Sequence, residues 1–262
     1  MLGLPDATRG CLFDLDGVLT QTAVVHAAAW QEMFDSFLRS RAQATGEVFS
    51  PFDPVRDYDE YVDGKPREEG TGSFLASRGI HLAVGAVDDP PGTPTIYGLG
   101  NAKNEILQRK LRTDGVRAYP GSVRYVQAVR AAGLRRAVVS SSANTADVLA
   151  AAGIADLFEV RIDGVVAAHE HLRGKPAPDT YLAGAKALGL SPEEAAVFED
   201  ALAGVSAGRA GGFGCVVGVD RVGQADELRA HGASIVVTDL ADLLTAKGGV
   251  GGSTGGGAPR GL

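Results

Sequence analysis

Two kinds of hydrophobic spacing alternate along this chain. Short unbroken apolar runs bounded by small or polar residues read as buried strands; stretches where apolar side chains return every three or four positions read as helices with one buried face. The first run, Gly10-Cys11-Leu12-Phe13, predicts a strand near the N-terminus. A helical pattern follows over about 24–41, with Trp30, Met33, Phe34, Phe37 and Leu38 on one face. Residues from about 45 to 100 are richer in Pro, Gly, Asp and Tyr, with shorter helical pieces near 66–77 and 104–111. From Tyr119 onward the alternation is regular: helices are expected over 122–132, 145–152, 179–188, 202–209, 224–231 and 240–246, and strands over 137–139, 195–198, 214–219 and 234–237.

Short apolar strands separated by helices predict a parallel sheet covered on both faces, which places the chain in the α/β class. The expected organisation is a Rossmann-like core formed by 1–22 and 111–246, with a mostly helical cap inserted as 23–110. Ligands of open α/β sheets bind beyond the carboxyl ends of the strands, so a cap rooted after the first strand covers the site. Residues 247–262 contain 8 glycines and almost no large apolar side chain, the composition of a disordered tail.

The formal net charge of −7 comes without any basic run, which argues against nucleic acid and anionic membrane as partners. Residues 1–9 lack the apolar stretch of a secretion signal, and no segment approaches the roughly 18 apolar residues of a membrane span. A soluble, cytoplasmic, monomeric protein is expected. Cys11 and Cys215 each sit within an apolar run, where a reduced, buried thiol is favoured over a disulfide or a metal ligand.

Chemistry concentrates where predicted strands end. In Asp14-Leu15-Asp16-Gly17-Val18-Leu19-Thr20 two carboxylates stand two residues apart, so in extended chain both face one side while Leu15 turns away. Adjacent carboxylates are costly unless a cation or a proton compensates, which suggests a bound metal with one acid kept partly protonated, an arrangement suited to an aspartyl phosphoenzyme. Val18 and Val25 exclude a calcium loop of the Asp-x-Asp-x-Asp-Gly type. Ser140-Ser141-Ser142 follow a strand and precede a helix near Asn144, offering hydroxyls and free N–H groups to a phosphate, although capping alone would also explain serines there. Lys175 lies in Gly174-Lys175-Pro176-Ala177-Pro178-Asp179, between residues that restrict the backbone. This is no Walker loop, because Pro176 replaces the Ser or Thr. Glu199-Asp200 closes another strand, where Asp200 could be an N-cap or could complete an oxygen shell with Asp14 and the Asp16 carbonyl.

Together, Phe13-Asp14-Leu15-Asp16-Gly17-Val18, Ser140, Lys175-Pro176 and Glu199-Asp200 resemble, in order and spacing, the four motifs of the haloacid dehalogenase-like phosphotransferases. Within that superfamily the chain is most similar to the β-phosphoglucomutase subfamily. Thr20, His26 with Trp30, Asp63-Gly64-Lys65-Pro66-Arg67, Lys103-Asn104, and Ser142 with Asn144 carry the narrower likeness.

The resemblance implies that Asp14 is the nucleophile and Asp16 the general acid and base. It implies that Lys175 and Ser140 act on the transferring phosphoryl group, and that Mg²⁺ is held by Asp14, Asp16, Glu199 and Asp200. A sugar phosphate would be bound by Thr20, His26, Trp30, Gly64, Arg67, Lys103, Asn104, Ser141, Ser142 and Asn144. Arg67, Ser142 and Asn144 resemble a grip for a second, distal phosphate. The implied reaction converts β-glucose 1-phosphate to glucose 6-phosphate through a bisphosphate; the alternative is a sugar-phosphate phosphatase. A catalytically silent regulatory protein on the same scaffold is disfavoured by the complete set Asp14, Asp16, Lys175 and Asp200. Three positions depart from the subfamily pattern: Gln21 where Asp is usual, Ala143 in place of a lysine of the distal site, and Ala201 in place of a small hydroxyl residue. His169 and His171 form a His-x-His pair expected on a surface loop, with no metal assigned to them.

Overall fold

The computed structural model describes residues 1–245, so the expected tail lies outside the described residues. Six strands, β1 (Gly10–Phe13), β2 (Arg135–Val139), β3 (Val160–Ile162), β4 (Ala195–Glu199), β5 (Cys215–Val219) and β6 (Ile235–Val237), form one sheet in the order β3-β2-β1-β4-β5-β6. Every pairing is parallel. The helices are α1 (Ala23–Thr45), α2 (Arg67–Ser77), α3 (Ile96–Asp114), α4 (Pro120–Ala131), α5 (Thr145–Ala151), α6 (Gly164–His169), α7 (Asp179–Ala187), α8 (Leu202–Ala210), α9 (Ala225–His231) and α10 (Asp242–Thr245).

β1 is wholly buried because both faces of the sheet are covered. Its side chains alternate: Cys11 and Phe13 join Tyr125, Val126 and Val129 of α4, whereas Leu12 joins Tyr181 of α7 and Val205 of α8. Phe13 stacks on Phe198 of β4 with ring centroids 4.4 Å apart. Each such buried aromatic or aliphatic side chain contributes about 1.5–3 kcal/mol from apolar surface removed from water. β1 lies between β2 and β4, where the strand order reverses, so the crevice beyond its carboxyl end is the place where this architecture takes a ligand.

Helices α1, α2 and α3, with a π-helical turn at Tyr58–Val62, form the insertion after β1 and have their own apolar centre. There Phe34 contacts Trp30, Phe52 and Phe74 at centroid distances of 5.2, 5.3 and 4.1 Å. The two connections to the core run side by side: Gln21 N–H donates to Arg117 O at 2.8 Å, and Tyr119 N–H to Leu19 O at 2.9 Å.

Several elements differ from expectation. α3 begins at Ile96, well before 104, and runs to Asp114, past the expected boundary at 110. Gly98 and Gly100 in its first turns hide the helical pattern, while Thr95 caps it by accepting from Gly98 N–H at 2.9 Å. β3 and α6 were not expected; β3 is a three-residue edge strand carrying Arg161, too short and polar to signal itself. His169 accordingly ends a helix and does not lie on a loop.

Candidate active site

The backbone of Asp14 continues the β1 ladder, its N–H donating to Phe198 O at 2.9 Å, and so projects the side chain from the carboxyl edge of the sheet. Lys175 reaches it from the loop before α7. Its ammonium donates to Asp14 Oδ1 at 2.6 Å, to Glu199 Oε1 at 2.6 Å and to Val139 O at 3.2 Å, and lies 4.9 Å from the Tyr181 ring centroid. Burial would lower the Lys175 pKa, but Asp14 and Glu199 outweigh it and raise it above the usual lysine range. Glu199 is committed on both oxygens: Oε1 also accepts from the Tyr181 hydroxyl at 2.7 Å, and Oε2 from Ala201 N–H at 3.2 Å. It anchors the lysine.

Asp14, Glu199 and Asp200 are all buried, with oxygens within 4.8 Å of one another. Burial pushes the Asp14 carboxyl well above its ordinary range, against the pull of Lys175. Burial likewise raises Asp200, with Asp63, Asp14 and Glu199 adding to the effect. One ammonium among three buried carboxylates leaves negative charge that a divalent cation would neutralise. Gly17 makes room for Asp200: a Cβ there would stand 1.6 Å from Asp200 Oδ2, and the residue has φ +89°. The donor set is hard oxygen, so the site fits a hard cation. The Asp16 side chain lies outside this cluster, which leaves only its carbonyl for the ligand role expected of it.

The Asp16 carboxylate accepts a hydrogen bond from the Thr22 hydroxyl. Thr22 in turn lies 2.7 Å from the Thr20 hydroxyl, which donates to Leu15 O at 3.1 Å. Thr20 is therefore a buried brace of the turn and does not line the cavity, contrary to its expected substrate role; Thr22, six positions after Asp16, was missed. His26 Nε2 stands 3.6 Å from Asp16 Oδ1 without a hydrogen-bond partner among the described residues, and His26 Nδ1 is 3.1 Å from Lys103 Nζ. Burial, then Lys103, lowers the His26 pKa to about 4, Asp16 opposing. Burial lowers Lys103 to about 7, with Asp16 opposing. The Lys103 ammonium sits 4.8 Å from the Trp30 ring centroid.

A cavity of about 470 Å³ opens between sheet and cap, and Asp14, Asp16, His26, Trp30, Lys103 and Ser140 are among its walls. Gly64, Arg67, Asn104, Ser141, Ser142 and Asn144 line it too, so of the expected substrate residues only Thr20 falls outside. The cap closes on the core through Ser141, whose hydroxyl donates to Gly64 O at 2.7 Å, and through Asn144, whose amide donates to Asn104 Oδ1 at 2.9 Å and accepts from Gln108 at 3.2 Å. Ala143 also lines the cavity, and the buried Ala201 faces Gly64 across the cap boundary. Burial lowers the Arg67 pKa. Tyr181 and Gln108 carried no sequence signal, because a tyrosine or glutamine on a helix is ordinary until a partner from another element meets it. Among the described residues, no helix is long and apolar enough to cross a membrane, and the only metal-capable cluster is the Asp14 group.

The family model for haloacid dehalogenase-like hydrolases matches residues 8–212. A β-phosphoglucomutase of Mycobacterium bovis is 58% identical over 247 residues, which are 93% of this chain and 94% of that protein. A β-phosphoglucomutase of Bacillus subtilis is 30% identical over 90% of this chain and 91% of its own length. Among solved structures, a β-phosphoglucomutase from Clostridium difficile superposes with a TM-score of 0.69 at 25% identity, covering 90% of this chain and 93% of that one.

Proposed function

The chain belongs to the haloacid dehalogenase-like hydrolase family, and from that premise we propose that it interconverts β-glucose 1-phosphate and glucose 6-phosphate through an aspartyl phosphate. The observation that carries this reading is the 58% identity to a β-phosphoglucomutase across nearly the whole of both chains. The cavity beneath the cap has the chemistry such a reaction needs.

In this reading Asp14 Oδ attacks phosphorus in line with the departing sugar oxygen, Asp16 gives that oxygen a proton, and Lys175 and Ser140 offset and hold the charge on the moving group. The phosphoryl group then passes from Asp14 to the 6-hydroxyl of β-glucose 1-phosphate, whose proton Asp16 takes; the bisphosphate so formed reorients and gives its 1-phosphoryl group to Asp14, with Asp16 protonating the departing oxygen as glucose 6-phosphate leaves. Mg²⁺ would be held by Asp14, Asp200 and the Asp16 carbonyl, with Glu199 beside them, and would supply charge neutralisation at the phosphoryl oxygens. Arg67 takes the phosphate that is not reacting, where a guanidinium can donate two parallel hydrogen bonds, with Ser142 and Asn144 on the core side. The cap contacts through Gly64 and Asn104 keep water from the phosphoenzyme, which is what separates a mutase from a phosphatase.

The phosphatase alternative draws on one specific feature: Ala143 lines the cavity where the subfamily pattern has a lysine, so that position supplies no cation to a distal phosphate. Both readings are tested in one tube containing β-glucose 1-phosphate, Mg²⁺ and a trace of glucose 1,6-bisphosphate, with glucose 6-phosphate and free phosphate both measured. Isomer without free phosphate supports the mutase. Free phosphate alone sinks it and leaves the phosphatase.

A further inference from the structure

Between α2 and α3 the chain runs through 81–95 without regular structure, yet this segment is densely tied. Asp89 Oδ2 accepts from Ala86 N–H at 3.1 Å and from the Thr95 hydroxyl at 2.6 Å, while Ile96 and Tyr97 N–H donate to Ala83 and Val84 carbonyls at 3.0 and 3.1 Å. Pro90, Pro91 and Pro94 stiffen it further. A long irregular segment held this firmly is more often functional than incidental.

Asn101 in the second turn of α3 joins this segment to the cavity. Its amide nitrogen donates to Val87 O at 3.0 Å and Asp89 O at 2.9 Å, and its Oδ1 accepts from Arg67 Nη2 at 3.2 Å. Two carbonyls on one side fix which end of the amide carries the nitrogen, so the oxygen must face Arg67. The preceding residue completes the seat: a Cβ at Gly100 would lie 3.3–3.5 Å from Arg67 Cγ, Nε and Cδ, so the arginine stem rests directly on the helix backbone. Among the described residues the partly buried guanidinium is thus held on one nitrogen, and its other donors face the cavity without a hydrogen-bond partner there.

We propose that Asn101, braced by the 81–95 segment, is a positioning residue that fixes the Arg67 guanidinium for a phosphate dianion at the far end of the cavity. The inference rests on the reading that Arg67 grips the distal phosphate. An arginine pre-set in this way loses less side-chain freedom on binding, and the gain is confined to ligands that carry a second phosphate.

The test compares Asn101→Ala, Gly100→Ala, Arg67→Ala and the Asn101→Ala/Arg67→Ala pair. Asn101→Ala should raise KM for glucose 1,6-bisphosphate about tenfold, the scale of one hydrogen bond to a charged group. Its hydrolysis of a small aryl phosphate should stay at the parental value, while loss of the two carbonyl bonds should lower the thermal midpoint by only a few degrees. Gly100→Ala keeps every loop hydrogen bond and asks the arginine stem to move by only a few tenths of an ångström; it should change the same KM less than Asn101→Ala does and also spare the aryl phosphate. In the Arg67→Ala background, Asn101→Ala should add nothing. The inference is overturned if Asn101→Ala is silent while Arg67→Ala is harmful, if it damages both substrates equally, or if its effect persists without Arg67. If Arg67→Ala leaves the bisphosphate KM unchanged, the distal-grip reading itself has failed and this inference falls with it.

Discussion

Lys175 and Asp14, separated by 161 positions in the chain, meet at 2.6 Å with both side chains buried. Glu199 holds the same ammonium at the same distance, so the lysine is suspended between a proposed nucleophile and a second carboxylate of the same buried acidic cluster. Removing it strands two buried acids. Lys175→Met should therefore cost about 3–5 kcal/mol of unfolding free energy, read from urea titration, in addition to its loss of turnover. An unchanged urea midpoint would contradict the anchoring role given to Glu199.

Asp14→Asn removes the only atom proposed to accept the phosphoryl group. Acid-quenched enzyme should then carry no aspartyl phosphate, and turnover with β-glucose 1-phosphate should vanish. Persistent turnover in this variant would refute covalent catalysis at this position.

Asp16 is held by Thr22, and the two substitutions should separate proton transfer from positioning. Asp16→Ala is expected to lower kcat about 10²- to 10⁴-fold with little change in substrate binding. Thr22→Val keeps the carboxylate but releases it, and should lower kcat by about tenfold at nearly constant KM, the scale of one hydrogen bond to a charged group. A Thr22→Val enzyme with parental kcat would show that the contact is idle.

Neutralising the acidic cluster should make stability metal-dependent. At Mg²⁺ about 100 times its dissociation constant, binding to the folded chain adds about 2.7 kcal/mol, seen as a raised thermal midpoint that chelation reverses. Asp200→Asn should lose most of that rise, and chelation should also abolish parental turnover. A midpoint indifferent to Mg²⁺ in the parent protein would count against the site.

His26 gives a pH signature. Its pKa is about 4 in the folded chain, against an ordinary 6.5 when unfolded, so between those values the unfolded chain binds the extra proton. Stability from this residue is present above pH 6.5 and is lost as pH falls toward 4, by up to about 3 kcal/mol, because each tenfold difference in proton affinity is worth about 1.4 kcal/mol. Carboxyls raised by burial act in the opposite direction, so the informative quantity is the difference between the parent and His26→Gln in urea midpoints at pH 7.5 and 4.5. Parallel pH profiles would show that His26 does not titrate as its burial implies.

The parallel sheet and the three strand ends that carry Asp14, Ser140 and Asp200 were legible in the residues alone, as was the proline-flanked segment of Lys175, which the structure places in the loop between α6 and α7 and not at a strand end. The sheet and its strand ends rest on local signals: unbroken apolar runs, helical spacing, and acidic or hydroxyl residues at their ends. The early start of α3 was not legible, because Gly98 and Gly100 lower local helix propensity and the helix is fixed by the Thr95 cap and by packing within the insertion. It took the folded arrangement to establish that Glu199 holds the lysine, that the Thr22 hydroxyl and not that of Thr20 bonds the Asp16 carboxylate, and that Asn101 meets Arg67 across 34 positions. Those roles depend on which side chains from distant segments come within about 3 Å, and hydrogen bonds at that range are set by how the elements pack, which no spacing along a single segment encodes.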